Sequence, residues 1–410
     1  MAQFALTATR RWAAAPLALR IALIYLAARA VTTAMMIAAA TLSTSLSRFG
    51  AEPGLADFIV GWDAQWYWLV AEEGYPSSLP LTESGEVAEN AWAFMPVFAF
   101  AAKTVGFVFG SWGMGAFLLS FVAGYFACLA LHRLLRERIG ARATMWSVVF
   151  FASGPVAAMF QVGYAETLFL LLLFLALDAT VRRNYVWLYL LIPVMAFTRP
   201  GILAFALYLG LHGILRWWHR RDDPLALREI VHIVALGALA TIAGFSWQVI
   251  AGIVTGDPGA YLATELAWRR NWLVGGVEGF VPFEGWIQAS QFWFAQWGLP
   301  GAWGPVALAL LVVAAGAALL YLPPGARARS RSQALERELP SLSARRLLPA
   351  VEHFPAAPAV ESCLGSTRGA ALARLAAGGS GGLPAGSVAL DLPHLRVGEH
   401  VLAGAVNVKA

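Results

Sequence analysis

The residues of this chain best suited to chemistry are Asp63 and the aromatic side chains around it. They occur in the stretch 61–68 (GWDAQWYW), which places one carboxylate among four large rings. A partly dehydrated, aromatic environment raises a carboxyl pKa toward the range of a useful general base. Such a base can take the proton of an acceptor hydroxyl in an inverting glycosyl transfer while a phosphate leaves from the opposite side. The alternative is an interfacial helix whose rings contact lipid headgroups, with Asp63 solvated or capping the helix.

Two further charged residues, Glu166 and Arg199, stand out by their position. Glu166 lies in the stretch 163–167 (GYAET) and opens a predicted helix, where the helix N-terminus itself favours a carboxylate. It is equally well explained as a second acid in the cavity of Asp63. Arg199 is a cation on the arginine-poor side of the predicted topology, so it needs a partner. That partner is either a lipid phosphate or an acid such as Glu166.

A loop predicted over about 255–301 also combines charges with tryptophan, including Glu265 and Trp268. This pattern fits a binding surface for a glycan or a headgroup. It fits an ordinary interfacial helix slightly better. The histidines lack metal-ligand spacing, so we expect no metal site.

The composition indicates which elements must position these residues. Of the 410 residues, 59% are hydrophobic and 13% are charged, and the mean hydropathy is +0.64. A soluble domain of this size would have too little polar cover, so an all-α polytopic membrane protein is indicated. The net charge of +5 comes from short arginine clusters between apolar segments. These clusters fit the positive-inside rule, so we expect a lipid bilayer and no nucleic acid as partner.

The arginine clusters order the apolar segments into about eight crossings with a cytoplasmic N-terminus. Segment 92–110 carries Pro96 and Lys103, and if it crossed, the arginines after residue 131 would face outside. We therefore predict an interfacial or re-entrant helix there, with Lys103 snorkelling. Asp63, Glu166 and Arg199 all fall on the external side. The predicted crossings are 17–45, 112–131, 143–160, 164–181, 184–198, 201–218, 229–254 and 302–322.

Two regions follow from this pattern. Residues 1–322 form the transmembrane domain, with a first external loop over 47–111 and a second over 255–301. After Pro323-Pro324 the chain lacks Trp and Tyr and is rich in Arg, Ala, Gly, Ser and Pro. We expect residues 323–410 to form a polar, largely disordered tail.

Several of these stretches together resemble the PIG-V-type mannosyltransferases of the GT-C glycosyltransferase superfamily, over about residues 17–320. The bias toward Ala, Arg and Gly is typical of a bacterial member. The stretches that carry the resemblance are 62–67 (WDAQWY), 74–76 (GYP), 93–98 (AFMPVF), 163–169 (GYAETLF) and 198–201 (TRPG).

The resemblance implies a GT-C-like helix bundle whose external loops bear interfacial helices. It implies transfer of mannose from a polyprenyl-phosphate-mannose donor to a lipid-anchored or envelope glycan acceptor on the extracytoplasmic face of the cell membrane. No cofactor or tightly bound metal is implied. Asp63 would be the general base, Arg199 would hold the lipid phosphate, and Glu166 would orient donor or acceptor. The substrate-binding residues would be Trp62, Trp66, Tyr67, Tyr164, Glu166 and Arg199.

The chain departs from this family at its C-terminal part, where members continue with further membrane segments and this sequence turns polar. Two other functions stay open. One is a lipid-linked sugar transporter or flippase, which would need polar groups through the bilayer, and here Arg29 is the main such residue. The other is a catalytically inactive membrane scaffold.

Overall fold

The computed structural model describes residues 14–270 and 283–321, and its regular elements are helices joined by short turns. One isolated antiparallel bridge, Leu81 to Val87, closes a loop between two helices. The thirteen α-helices of the described residues are α1 Leu17–Thr41, α2 Leu55–Ile59, α3 Asp63–Glu73, α4 Pro96–Phe107, α5 Trp112–Leu135, α6 Ala141–Ser153, α7 Glu166–Val181, α8 Leu188–Ala196, α9 Ile202–Trp218, α10 Leu227–Thr255, α11 Ala260–Arg270, α12 Glu284–Gln296 and α13 Trp303–Tyr321.

Three of these helices, α1, α5 and α10, are long and apolar enough to cross a membrane. They have 25, 24 and 29 residues, and a helix of about 20 residues matches the hydrocarbon core. The predicted all-helical membrane protein is confirmed at this level. The other apolar helices are shorter, so the count of eight crossings stays a prediction, as does the GT-C-like arrangement. The predicted tail, 323–410, lies outside the described residues.

Helix α4 occupies the segment for which an interfacial or re-entrant helix is predicted. Its 12 residues span about 18 Å, which is less than the thickness of the hydrocarbon core. Pro96 begins the helix at a position where its missing N–H is harmless. Lys103 does not simply extend toward solvent, because its ammonium group donates to the Ala71 carbonyl and pairs with Glu72 at 3.2 Å. This contact ties α4 to α3.

The predicted crossing 143–160 is broken in the structure. Helix α6 ends at Ser153, where Gly154 takes an extended conformation before Pro155, and a 3₁₀ turn follows over Ala157–Phe160. The break frees backbone carbonyls, and Arg29 from α1 donates hydrogen bonds to two of them, those of Ala152 and Ala157. The Arg29 guanidinium also lies over the ring of Phe160 at 4.9 Å. The guanidinium of Arg29, which a transport path could use, is thus held by packing contacts within the protein.

Ion pairs join the helices at one end of the bundle. Asp178 on α7 pairs with Arg133 on α5 and with Arg182, both at 2.8 Å. Arg216 on α9 pairs with Glu229 on α10, also at 2.8 Å, and both side chains are nearly buried. The arginine clusters at 133–138, 182–183 and 216–221 therefore gather where α5, α7 and α9 end and α10 begins. The start of α7 and the turn between α8 and α9 lie at the opposite ends of those helices.

Candidate functional site

A strained turn precedes Asp63. A Cβ on Gly61 would meet the Phe49 ring at 2.6 Å and the Asp57 carbonyl at 2.9 Å, so this position needs glycine. Trp62 has φ +48° and ψ −119°, a backbone conformation that bulky residues rarely adopt. A strained backbone conformation persists only where the surrounding structure holds it, and such conformations are concentrated at functional sites. Helix α3 then begins at Asp63, where the helix dipole favours a carboxylate.

The Asp63 carboxyl group is half-buried, and its electrostatics fit a proton acceptor. Burial raises the pKa of Asp63 above its ordinary value, and the positive charge of Arg199 opposes this rise in part. The Tyr164 phenol lies against the backbone amide of Asp63. Tyr164, a predicted substrate-binding residue, is thus close to Asp63.

The segment before α7 packs tightly on the Asp63 helix. The Gly163 N–H donates to the Ile59 carbonyl at 2.9 Å. A Cβ on Gly163 would lie 3.1 Å from the Cβ of Ala64 and 3.2 Å from that of Ala116, so any larger residue would crowd these neighbours. Glu166 follows as the first residue of α7. The close packing of Gly163 therefore brings the start of α7, and with it Glu166, to the turn that carries Asp63.

Arg199 lies in the turn between α8 and α9, which Gly201 opens with φ +143°. Its Nη1 donates to Glu166 Oε1 at 2.6 Å, and its positive charge also acts on the phenol of Tyr67 on α3. Tyr67 is 2% exposed. The sequence predicted either a lipid phosphate or an acid such as Glu166 as the partner of Arg199, and the structure contains the ion pair with Glu166. The second oxygen of Glu166, Oε2, is buried and has no hydrogen-bond partner among the described residues.

Helix α11 contributes two residues that sequence reasoning left out of the site. The Trp268 ring packs edge-on against Trp66 at 5.3 Å and against Phe94 at 5.5 Å, while Trp66 and Phe94 lie parallel, 5.9 Å apart. The carboxyl group of Glu265 lies close to Tyr261 on its own helix, and the positive charge of Arg199 acts on it. Burial raises the pKa of Glu265, and Tyr261 and Arg199 oppose the rise. The alternation of acid and tryptophan in the sequence was the available signal.

The structure brings most of the predicted site residues together. Trp62 is the exception: its ring is 45% exposed and contacts Phe49 at 4.9 Å and the guanidinium of Arg48 at 5.5 Å. Among the described residues, no three His, Cys, Asp or Glu side chains gather closely enough to hold a metal ion. The predicted members of the cluster are Asp63, Trp66, Tyr67, Tyr164, Glu166 and Arg199.

A groove of about 690 Å³ lies elsewhere, between α9 and α10. It is lined by apolar and small side chains such as Leu203, Gly210 and Gly237, and none of the site residues contributes to it. The candidate site is therefore defined by convergent charges and aromatic contacts and not by this groove.

The fold and the site together define a class: an α-helical membrane protein with a cluster of carboxylates, one arginine and aromatic side chains at one end of its helices. Comparison with known proteins adds no family to this description. No protein-family model matches the chain, and neither a curated protein nor a solved structure matches it.

Proposed function

We propose that the chain is a PIG-V-type, GT-C-like glycosyltransferase that transfers mannose from polyprenyl-phosphate-mannose to a lipid-anchored or envelope glycan acceptor. The observation that carries this proposal is the convergence of Asp63, Tyr67, Glu166 and Arg199, which come from three separate parts of the chain. These residues belong to the same stretches that resemble the family.

In the proposed reaction, Asp63 accepts the proton of the acceptor hydroxyl. The acceptor oxygen then forms a bond to C1 of mannose, and the bond from C1 to the phosphate oxygen breaks. The electron pair of that bond leaves with the polyprenyl phosphate, and the configuration at C1 inverts. The raised pKa of Asp63 suits this role, because a base with a pKa nearer neutrality takes a proton more readily.

Arg199 is proposed to stabilise the leaving phosphate. Its Nη1 is bonded to Glu166, yet a guanidinium has five N–H donors and this one is 38% exposed. The remaining donors are available for phosphate oxygens, with which arginine forms strong charge-assisted bonds. Glu166 then has two parts in the site: it orients Arg199 through Oε1, and its unpartnered Oε2 orients a substrate hydroxyl.

The proposed topology places this site on the extracytoplasmic face and the N-terminus in the cytoplasm. This topology is supported by the position of the site, which lies at the helix ends opposite those that carry the arginine clusters. The proposal also accounts for Arg29 better than a transporter does. A transporter would use this residue along its pathway, whereas both of its terminal nitrogens are bonded to backbone carbonyls.

The direct test is mannose transfer in membranes that contain the full chain, with polyprenyl-phosphate-mannose as donor. We expect Asp63→Asn to lower transfer by a factor of about 10² to 10⁴, which is the usual contribution of a general base. Glu73→Gln is the matched control, since Glu73 is an exposed acid on the same helix. Full transfer by Asp63→Asn would falsify the general-base assignment. Passage of the sugar lipid across the membrane without transfer would support a transporter instead.

A further inference from the structure

Helix α11 is fixed onto the first external loop by buried and exposed polar contacts. Asn90 and Thr264 exchange hydrogen bonds of 3.0 and 3.2 Å, and both residues are buried. Arg270 donates to Glu86 at 2.9 Å and to the Val87 carbonyl at 3.2 Å. The side chains of α11 are therefore held against this loop and the Asp63 helix, as wall residues of a binding site must be.

Two buried polar atoms in this region have no partner among the described residues. They are Nε1 of Trp268, which is a donor, and Oε2 of Glu166, which is an acceptor. A buried polar atom without a hydrogen bond costs about 1–3 kcal/mol, so native proteins rarely leave one unpaired. Ligand hydroxyl groups both accept and donate, so they can satisfy an atom of each kind.

The charged side chains around Trp268 and Glu166 indicate which kind of ligand this region can bind. Arg199 is the one cation that acts on Asp63, Glu166 and Glu265 together in the described site. Three carboxyl groups around one guanidinium disfavour an anionic ring. A neutral sugar meets no such repulsion, because its hydroxyls donate to carboxyl oxygens and its apolar face packs on aromatic rings such as Trp66 and Trp268.

From these contacts we infer that α11 forms the acceptor subsite, where Trp268 Nε1 and the Glu265 carboxyl group bind the ring hydroxyls of a neutral pyranose. The inference rests on the proposed glycosyl transfer and names the class of its acceptor. It adds two binding residues, from a loop about 200 residues after Asp63 in the sequence.

Equilibrium binding of octyl mannoside to the full chain in nanodiscs, without donor, tests this subsite separately from turnover. We expect Trp268→Phe to weaken binding about fivefold to tenfold, the effect of one lost hydrogen bond. Any fall in its melting temperature reports the reduced packing on Trp66 and Phe94, because Nε1 has no partner in the protein to lose. Glu265→Gln also weakens binding. Trp286→Phe is the matched control, since Trp286 is 66% exposed on α12. Octyl glucuronide, the anionic counterpart, is expected to bind at least tenfold more weakly than the mannoside.

The outcomes separate the two proposals. Octyl mannoside binding that depends on Trp268 and Glu265 supports the subsite even where no mannose is transferred, in which case the proposed function alone fails. Equal affinities of wild type, Trp268→Phe and Glu265→Gln, or tighter binding of the glucuronide, overturn the subsite. The absence of any measurable binding to the wild type overturns it as well.

Discussion

Arg199 Nη1 lies 2.6 Å from Glu166 Oε1, which joins the turn between α8 and α9 to the first residue of α7. Because the charge of Arg199 also acts on Tyr67 on α3, one guanidinium influences three parts of the chain. Of the two kinds of partner that the sequence left open, the acid is present: Arg199 pairs with Glu166 within the protein. It also keeps a positive charge close to Asp63, where the proposed reaction needs one.

The ionisation of Asp63 should weaken the fold. Burial raises the pKa of Asp63, so the native state keeps this proton at pH values where the unfolded chain has released it. Stability is therefore lost as the pH rises through this interval. We expect Asp63→Asn to melt at a higher temperature than wild type at pH 8, and the difference to vanish below about pH 4, where both states are protonated.

Thermal unfolding in detergent at pH 4 and pH 8 measures this difference. Glu73→Gln, at an exposed acid on the same helix, serves again as the control. If Asp63→Asn is equally stable or less stable than wild type at pH 8, the buried carboxylate is better satisfied than the structure indicates.

Replacement of Arg199 by lysine should show whether donor binding needs only a positive charge or also the hydrogen-bonding geometry of the guanidinium. A lysine keeps the positive charge and can pair with Glu166, but a single ammonium does not reproduce the planar fork that can serve Glu166 and a phosphate together. We expect Arg199→Lys to fold and to raise the donor KM in mannose transfer about tenfold or more. Arg220→Lys, at an exposed arginine that stacks on Trp217, should leave the donor KM unchanged. An unchanged donor KM in Arg199→Lys would remove the phosphate role.

The close approach of Gly163 predicts a steric effect. In Gly163→Ala the new methyl group would crowd Ala64, Ala116 and the Ile59 carbonyl, all within 3.1–3.2 Å. Because these neighbours are themselves small or backbone atoms, they have little room to yield. We expect a loss of about 1–3 kcal/mol in stability. Mannose transfer should fall with it, since the change separates the helices of Asp63 and Glu166.

The matched control for this substitution is Gly237→Ala on α10, where an added Cβ meets nothing within 4 Å. There alanine should be neutral or stabilise the helix by about 0.5–1 kcal/mol. Chemical or thermal unfolding of both variants gives the comparison. Equal effects at the two positions would contradict the packing of the Gly163 segment against α3.

The hydrogen bonds between Asn90 and Thr264 should be needed to hold α11. Thr264→Val keeps the shape of the side chain and removes the hydroxyl, which leaves the buried Asn90 amide partly unpaired. We expect this to cost about 1–3 kcal/mol and to increase amide hydrogen exchange in residues 260–270. Thr104→Val, which removes an exposed bond to the Phe100 carbonyl within α4, should change neither quantity. Unchanged exchange in α11 would mean that other contacts hold it.

The sequence by itself determined the helical membrane character, and several helix boundaries followed within a few residues. Crossings predicted at 112–131 and 229–254 correspond to α5 and α10, because long apolar segments must satisfy their own backbone hydrogen bonds in lipid. Asp63 could also be singled out from local sequence alone, since the acid and its aromatic neighbours lie within eight residues.

Only the tertiary structure decided which residues meet. The break after Ser153, the ion pair between Glu166 and Arg199, and the docking of α11 on Trp66 all depend on contacts between distant parts of the chain. Local periodicity carries no information about such pairs, and a tryptophan in a loop has the same pattern whether it contacts lipid or a binding site. Their partners are set by how the helices pack, and packing is a property of the whole bundle.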